Sequence, residues 1–531
     1  MENKEHKGKY RKRYLVIQLI VLAILYGMIA ILVESAEWFQ RSWGKISFAT
    51  VVYQLSTPLK GTESSIIVSY CQGVFPMVIK RLVLVLGFWY LFVRIFAVLD
   101  MKIDIRLFKK HFAVKLGKRF MNGGRVLFLL LLILFSAYEI SHEVEALGID
   151  DYIEEVRESS TIHEDYYVTP LDSNMKFPDK KRNLIFIYLE SMENTYASVE
   201  DGGGKPVNYI PELTLLADEN VSISNTDKIG GIYANERSGW TIAALLGATA
   251  GIPYKIPGNE LWGECSAGQY TEFLPGLTTL GDVLEEQGYK NYFLCGSEGE
   301  FAGRDLYFQK HGNYEILDYN YAVQNNYIPD DYWVFWGYED EKMFDIAKQE
   351  LSRISRNEAP FNFTMLTVDT HYPDGYLCDL CENKYPEQYA NVAACSSRQV
   401  YAFVEWAKQQ DWYENTTIIL LGDHKSMSNN FWSDIGDFQR RTYNCFINLP
   451  ETVDVSNIKR RNASTLDIFP TTLAAIGVEI DGDRLGLGTN VFSQSSTLVE
   501  EMGETEFDMQ LSRHSKYYDE VFIRGEDGYQ E

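Results

Sequence analysis

Positive charge is scarce in this chain. Its 531 residues carry 49 Lys and Arg against 74 Asp and Glu, a formal net charge of −25. A surface of that sign repels a phosphate backbone, which argues against nucleic acid as a partner. Cysteine is also sparse, with seven at positions 71, 265, 295, 378, 381, 395 and 445. Cys378 and Cys381 form one C-x-x-C with no second pair downstream and no helix start behind it, so it is weak evidence for a zinc or redox motif. Outside the cytoplasm, a local disulfide among Cys378, Cys381 and Cys395 is the better reading, with its pairing open. Phosphate-binding loops are missing as well. Gly202-Gly203-Gly204-Lys205 lacks the spacing of such a loop and the Ser or Thr after its Lys, and Gly486-Leu487-Gly488 lacks the dinucleotide pattern. The chain has no repeat and no low-complexity tract.

Long hydrophobic runs are present, and they crowd one end. Tyr14–Val33 is nearly pure hydrocarbon and long enough to span a bilayer. It lacks an A-x-A-like cleavage site, which reads as an uncleaved anchor rather than a signal peptide. Ser65–Ile79 is only moderately apolar and is interrupted by Gly73 and Pro76. It reads as an interfacial or re-entrant piece, with a fourth span as the alternative. Leu82–Leu99, despite Arg94, and the shorter Val126–Ile140 are the other spans expected. The first 13 residues and Met101–Arg125 are basic, which assigns both to the cytoplasmic side. Three spans that start inside finish outside. The layout expected is a membrane domain over 1–140, a polar spacer over 141–182, an extracytoplasmic catalytic domain over 183–495 and an acidic C-terminal tail over 496–531.

From Asn183 onward the pattern alternates. Strand candidates at Asn183–Leu189, Asn291–Leu294, Phe361–Thr367, Thr416–Leu421 and Thr442–Asn448 lie between helical stretches at Ile242–Ala250, Leu280–Gln287, Glu341–Ile354, Ser396–Gln410 and Leu466–Ile476. This is the α/β signature of a mostly parallel sheet flanked by helices. Two of the strands end on chemistry. Asn183–Leu189, apolar throughout and rich in β-branched and aromatic residues, stops at Glu190, and the run ending at Leu421 leads through Gly422 into Asp423-His424. Open α/β sheets collect ligands at the carboxyl ends of their strands. Two carboxylates and an imidazole there suggest a site for manganese, magnesium or zinc. Between these strands, Glu236-Arg237-Ser238-Gly239-Trp240-Thr241 leads into an apolar helical run. A hydroxyl at a helix start is either an N-cap or a nucleophile beside a helix-bound phosphate.

The order of these segments resembles the alkaline phosphatase and sulfatase superfamily, and within it the membrane-anchored phosphoglycerol transferases, which include osmoregulated-glucan phosphoglycerol transferases and lipoteichoic acid synthases. The resemblance runs from Asn183 to about Ser493. It is carried by LESMENTY at 189–196, IPEL at 210–213, SGWTIAALLGATAGIP at 238–253, FLPGLTTLGDVLEEQGYKNYFLCG at 273–296, FAGRDLYFQKHG at 301–312, TVDTHYPDGY at 367–376, LLGDHKSM at 420–427 and RLGLGTNVF at 484–492. It implies a divalent metal, usually manganese, held by Glu190, Asp423 and His424. The family nucleophile, a Thr that also touches the metal, aligns by spacing with Ser238, and Thr241 is the alternative. His371 matches a His near the transferred headgroup, and Arg304 matches a basic residue that holds phosphate or glycerol.

The reaction implied takes phosphoglycerol from phosphatidylglycerol at the membrane, through a phosphoglyceryl-serine intermediate, to a hydroxyl of a cell-envelope glycan or glycolipid, and releases diacylglycerol. Three alternatives remain: a phosphoethanolamine transferase, a sulfatase-type hydrolase and a catalytically decayed binding domain. Ser238 is followed by Gly-Trp-Thr-Ile and not by the C/S-x-P-S-R context of sulfatases, and the further His ligands of phosphoethanolamine transferases are not found.

Overall fold

The computed structural model describes residues 2–44, 48–56, 64–98, 102–107, 110–115, 118–171, 174–255 and 272–525. The chain divides into two compact units, one of residues 1–46 and 64–150 and one of residues 47–63 and 151–531.

The first unit is built on three long helices, α1 (Glu2–Trp43), α2 (Ser64–Val98) and α3 (Lys118–Ala146), with an antiparallel hairpin of β1 (Lys102–Leu107) and β2 (Lys110–Lys115) between α2 and α3. Among the described residues, Val16–Trp43, Ile66–Phe92 and Arg125–Ala146 are long and apolar enough to cross a membrane. The second differs from the sequence expectation. Ser65–Ile79 is not a separate interfacial piece, because α2 runs unbroken through Pro76. Proline is tolerated in such helices because packed neighbours satisfy the freed backbone groups. Gly73 is where α2 meets α1: a Cβ there would lie 2.7 Å from Cδ1 of Trp38. Three glutamates converge on one cation, since Arg81 donates to Glu34, to Glu139 and, at 3.0 Å, to Glu37. Paired charge of this kind is how an ionisable side chain persists among apolar helices.

The second unit carries a six-stranded sheet. In chain order its strands are β3 (Asn183–Leu189), β4 (Lys290–Cys295), β5 (Glu315–Leu317), β6 (Phe361–Leu366), β7 (Thr416–Gly422) and β8 (Asn444–Ile447). Their spatial order is β5-β4-β6-β3-β7-β8. All neighbours are parallel except β7 and β8. The runs read as doubly buried strands are buried on both faces. Leu184, Phe186 and Tyr188 pack with Ile242, Leu245 and Leu246 of α5 (Thr241–Ala250) and with Phe469 and Leu473 of α10 (Ile468–Ala475). The alternate residues Ile185, Ile187 and Leu189 pack with Leu213 and Leu216 of α4 (Pro211–Glu219), Phe344 and Leu351 of α8 (Asp340–Ile354), and Phe403 and Val404 of α9 (Gln388–Ala407). Between α5 and α8 in the chain lie α6 (Leu280–Glu286) and α7 (Arg304–Lys310). This three-layer arrangement places the ends of β3, β6 and β7 side by side at one sheet edge.

Two segments expected to be peripheral pack into this unit. In the presumed spacer, Met175-Lys176 pairs with Glu479-Ile480, Val168 bridges Gly486, and Ile162 and His163 are buried. In the presumed tail, Phe507, Leu511, Tyr518 and Phe522 are buried. The spacer's partners lie hundreds of residues away, and the tail's cluster also draws on Ile162 and Leu466, so no local pattern announces either.

Gly422, the last residue of β7, is fixed by close approach. A Cβ there would lie 1.8 Å from the carbonyl oxygen of Met192. That oxygen accepts from Tyr443 N at 3.0 Å, so it cannot withdraw without breaking a second contact. We expect Gly422→Ala to cost about 3 kcal/mol, the upper part of the overpacking range. Thermal unfolding of the detergent-solubilised chain checks this; an unchanged midpoint would show that the strand end yields freely.

Candidate active site

Glu190, Asp423 and His424 meet at the carboxyl ends of β3 and β7. One ligand atom from each lies within 4.8 Å of the others, and all three residues are buried. Backbone geometry brings them together. Ser191 takes a positive φ of 53°, which turns its N–H to Asp423 Oδ1 at 2.8 Å, while its hydroxyl donates to Glu190 Oε1 at 2.7 Å. Asp423 Oδ1 also accepts from His424 N at 2.7 Å. The imidazole Nδ1 faces the carbonyl of Lys425 at 3.0 Å. That contact leaves Nε2 facing Glu190 Oε1 at 3.5 Å and Asp423 Oδ2 at 3.4 Å.

Two buried carboxylates this close cannot both ionise comfortably without a cation. Burial and the charge of Glu190 push Asp423 up to about 7. Burial also raises Glu190, but His424, His371 and the Ser191 hydroxyl outweigh it and hold Glu190 below its usual value. Asp423 Oδ2 is buried without a hydrogen-bond partner. An orphaned carboxylate oxygen, a second carboxylate and a pre-oriented imidazole together fit a divalent cation. Protons and metal compete for Asp423, so acid weakens binding. Burial lowers His424, but the charges of Asp423 and Glu190 outweigh it and raise His424 as well, so its proton competes too. We expect affinity for a divalent cation, probed with manganese, to fall tenfold or more per pH unit below about 7. Titration at pH 6, 7 and 8 checks this; a pH-independent affinity would refute it.

The two candidate hydroxyls separate clearly. Thr241 opens α5, and its Oγ1 lies 3.4 Å from Glu190 Oε2 and 3.5 Å from His424 Nε2. The N-cap residue is Trp240, with extended backbone and no side-chain cap bond, so the Thr241 hydroxyl is not used as a cap. Ser238 is not brought to the cluster. It is fully buried, and its hydroxyl accepts from Asn235 Nδ2 at 2.9 Å and faces Gly247 within α5. Arg237, at φ 65°, turns the chain so that Ser238 points under the helix and Thr241 points to the strand ends.

His371 follows β6. The charges of Glu190 and His424 act on its ring, and Trp336 packs against it at 4.6 Å between centroids. Its Nδ1 meets the carbonyl of Tyr372 at 2.9 Å. Burial lowers its pKa more than Glu190 raises it, which favours the neutral ring. Arg304 opens α7 and is buried. Its guanidinium donates to Ser297 Oγ at 2.9 Å and to the carbonyls of Phe301 and Glu298 at 2.9 and 3.0 Å. It is near enough to depress His371 electrostatically.

Two carboxylates around the site have structural roles that the sequence does not announce. Glu193 accepts from Ser426 N at 2.8 Å and from Arg440, tying the loop after His424 to the loop after Glu190. Asp340 accepts from the N–H groups of Val368 and Asp369 at 2.7 and 3.2 Å, and its own N–H returns to Asp369 Oδ1 at 3.1 Å. Those contacts set the loop that leads to His371. Each is a carboxylate whose partners are distant in sequence.

The profile of the family described as Sulfatase matches residues 182–478, more than half of the chain. The chain belongs to the sulfatase family. Glu190, Thr241, His371, Asp423 and His424 all lie inside that match. This sulfatase-family chain is also 31% identical over 338 residues to phosphoglycerol transferase I of Escherichia coli (strain 55989 / EAEC), which covers 62% of this chain and 41% of that protein. It thus spans about two-fifths of the length of the curated relatives it matches. Among solved structures, it is similar to the lipoteichoic acid synthase of Listeria monocytogenes at 17% identity and a TM-score of 0.46, covering 62% of this chain and 81% of that one. It is also similar to the integral membrane lipooligosaccharide phosphoethanolamine transferase of Neisseria meningitidis at 12% identity and a TM-score of 0.47, covering 94% and 89%.

Proposed function

We propose that this chain is a metal-dependent transferase that moves phosphoglycerol from phosphatidylglycerol to a hydroxyl of a cell-envelope glycan or glycolipid, with Thr241 as nucleophile and the catalytic unit outside the cytoplasm. The observation that carries this reading is the Thr241 hydroxyl, 3.4 to 3.5 Å from two members of the carboxylate–imidazole cluster and free of any capping role. The likeness to phosphoglycerol transferase I supports the choice of group, and three apolar helices fit a lipid donor.

Glu190, Asp423 and His424 would hold the cation, manganese in the first instance, with magnesium and zinc suited to the same donors. When bound, it supplies Lewis acidity that lowers the pKa of a nearby hydroxyl and draws charge from a phosphoryl oxygen. The remaining steps fall to side chains of this chain. Thr241 Oγ1 attacks phosphorus, an O–P bond forms, and the bond to the diacylglycerol oxygen breaks. Thr241 gives up a proton and diacylglycerol leaves with one, so this half is proton-neutral. The start of α5 favours the phosphate through its N–H groups. In the second half the acceptor hydroxyl attacks the same phosphorus and Thr241 leaves. Neutral His371, with Nδ1–H committed to Tyr372, offers Nε2 as base to that hydroxyl. Arg304, held in place by Ser297 and two carbonyls, orients the glycerol or a phosphoryl oxygen.

The test is intact-mass measurement of the full chain in detergent with manganese, offered phosphatidylglycerol or phosphatidylethanolamine without acceptor. A phosphoglycerol-sized increase with the first lipid alone is the expected result. A phosphoethanolamine-sized increase with the second would move the donor within the same chemistry. No adduct with either lipid, together with no manganese binding, would favour a tethered binding domain.

A further inference from the structure

Away from the carboxylate–imidazole cluster, three cysteines converge. Cys378 and Cys381 lie on the loop between β6 and α9, and Cys395 lies in the third turn of α9. None of the three is bonded to another cysteine. Cys378 Sγ lies 3.6 Å from Cys381 Sγ and 3.7 Å from Cys395 Sγ, and all three sulfurs are within 4.8 Å of one another. With Zn–S bonds of about 2.3 Å, tetrahedral coordination sets its sulfurs about 3.8 Å apart. The two spacings from Cys378 are close to that edge. A disulfide would use only two of the three sulfurs and leave the third thiol unpaired beside it.

The fourth direction is also furnished. Gln399, one turn beyond Cys395 on α9, is 8% exposed, and its Nε2 touches Cys395 Sγ at 3.5 Å and Cys378 Sγ at 3.6 Å. Its Oε1 is buried with no hydrogen-bond partner. The two ends of an amide are interchangeable by a half-turn. That rotation turns the orphaned oxygen toward the sulfurs. Positive charge stands close by, since Arg398 donates to the carbonyl of Leu380 inside the C-x-x-C turn.

We propose that Cys378, Cys381 and Cys395 bind a thiophilic divalent cation, zinc by its ligand preference, with the Gln399 amide oxygen or a water in fourth place. Binding exchanges three S–H bonds for three S–metal bonds and releases three protons, with no change of oxidation state. Its place in the fold gives the site a task. The loop from His371 is pinned at its start by Gly375 N to His371 O and by Tyr376 N to Asp369 O, at 3.1 and 2.7 Å, and its far end is the cysteine turn. A metal there clamps the loop that begins at His371 to α9.

Cobalt loading of the full chain in detergent, after reduction and chelation, tests this. The expected result is a sulfur-to-cobalt charge-transfer band at one equivalent. It persists in Asp423→Ala, which lacks the carboxylate site, and is lost in Cys395→Ser. Persistence in Asp423→Ala separates this site from the proposed transferase centre, so either can fail alone. X-ray absorption at the zinc edge of Asp423→Ala, loaded with one equivalent of zinc, gives a reading that does not depend on the folding of Cys395→Ser, with three sulfur scatterers expected. A spectrum of oxygen and nitrogen scatterers only, or a two-hydrogen mass deficit mapped to a pair of these cysteines in the metal-free chain as isolated, would overturn the proposal.

Discussion

Thr241→Ala is expected to lower turnover by on the order of 10⁴-fold or more, the scale on which enzymes lose rate when a nucleophile is removed, while Ser238→Ala is expected to stay within about threefold of wild type. The contrast follows from where the two hydroxyls point. Thr241 Oγ1 faces Glu190 and His424, and no neighbouring hydroxyl at the start of α5 is placed to substitute for it. Ser238 is sealed beneath the same helix and is committed to Asn235. Its removal leaves one buried amide donor short of a partner, a stability cost of about 1–2 kcal/mol that does not reach phosphorus. Single-turnover assays on both variants, with metal binding measured in parallel, decide the matter. Full manganese affinity with no covalent adduct in Thr241→Ala fits the nucleophile role. A loss confined to Ser238→Ala would return the nucleophile to Ser238 and require the turn at Arg237 to rearrange in the working enzyme.

The same pair shows where sequence reasoning works and where it stops. Strand β3 was legible to the residue because both its faces are buried and its composition is therefore apolar at every position. The meeting of Glu190 with Asp423 and His424 was legible for a related reason: parallel strands of similar length end at one edge, and both motifs sit at strand ends. Which of Ser238 and Thr241 faces the cluster was not legible, because spacing along the chain says nothing of how the turn through Arg237, at φ 65°, sets the two hydroxyls. Residues 64–98 were divided in sequence because Gly73 and Pro76 look like breaks, but in the structure one admits Trp38 and the other sits inside a continuous helix. The segment before Asn183 reads as spacer and the one after 495 as tail, yet both enter the core through pairings such as Met175 with Ile480. Cys395, 14 positions after Cys381, is grouped with the C-x-x-C by sequence alone, but as one member of a disulfide; only the fold shows all three sulfurs together and unbonded.

Glu193→Ala is the second change expected to have a large effect, and it acts without touching substrate. Glu193 is fully buried, with both oxygens engaged: Oε1 accepts from Ser426 N and Arg440, Oε2 from Thr195 Oγ1 at 2.7 Å and from Arg440 Nε at 2.9 Å. Truncation orphans the Ser426 N–H and strips Arg440 of its counter-charge. Breaking a buried pair costs about 3–5 kcal/mol. Arg440 keeps some solvent access, with a quarter of its side chain exposed, which places the expected loss near 3 kcal/mol. Ser426 lies two residues after His424, so the loosened loop should also weaken manganese binding. The double variant Glu193→Ala/Arg440→Met tests the physical cause. If the penalty is the stranded guanidinium, removing it should return part of the lost stability, because deleting both partners avoids the unpaired charge. Thermal unfolding of the two single variants and the double then separates the readings: a double variant less destabilised than the sum of the singles supports the ion pair as anchor of the site loops, and strict additivity would show that Glu193 acts through the Ser426 N–H and Thr195 alone.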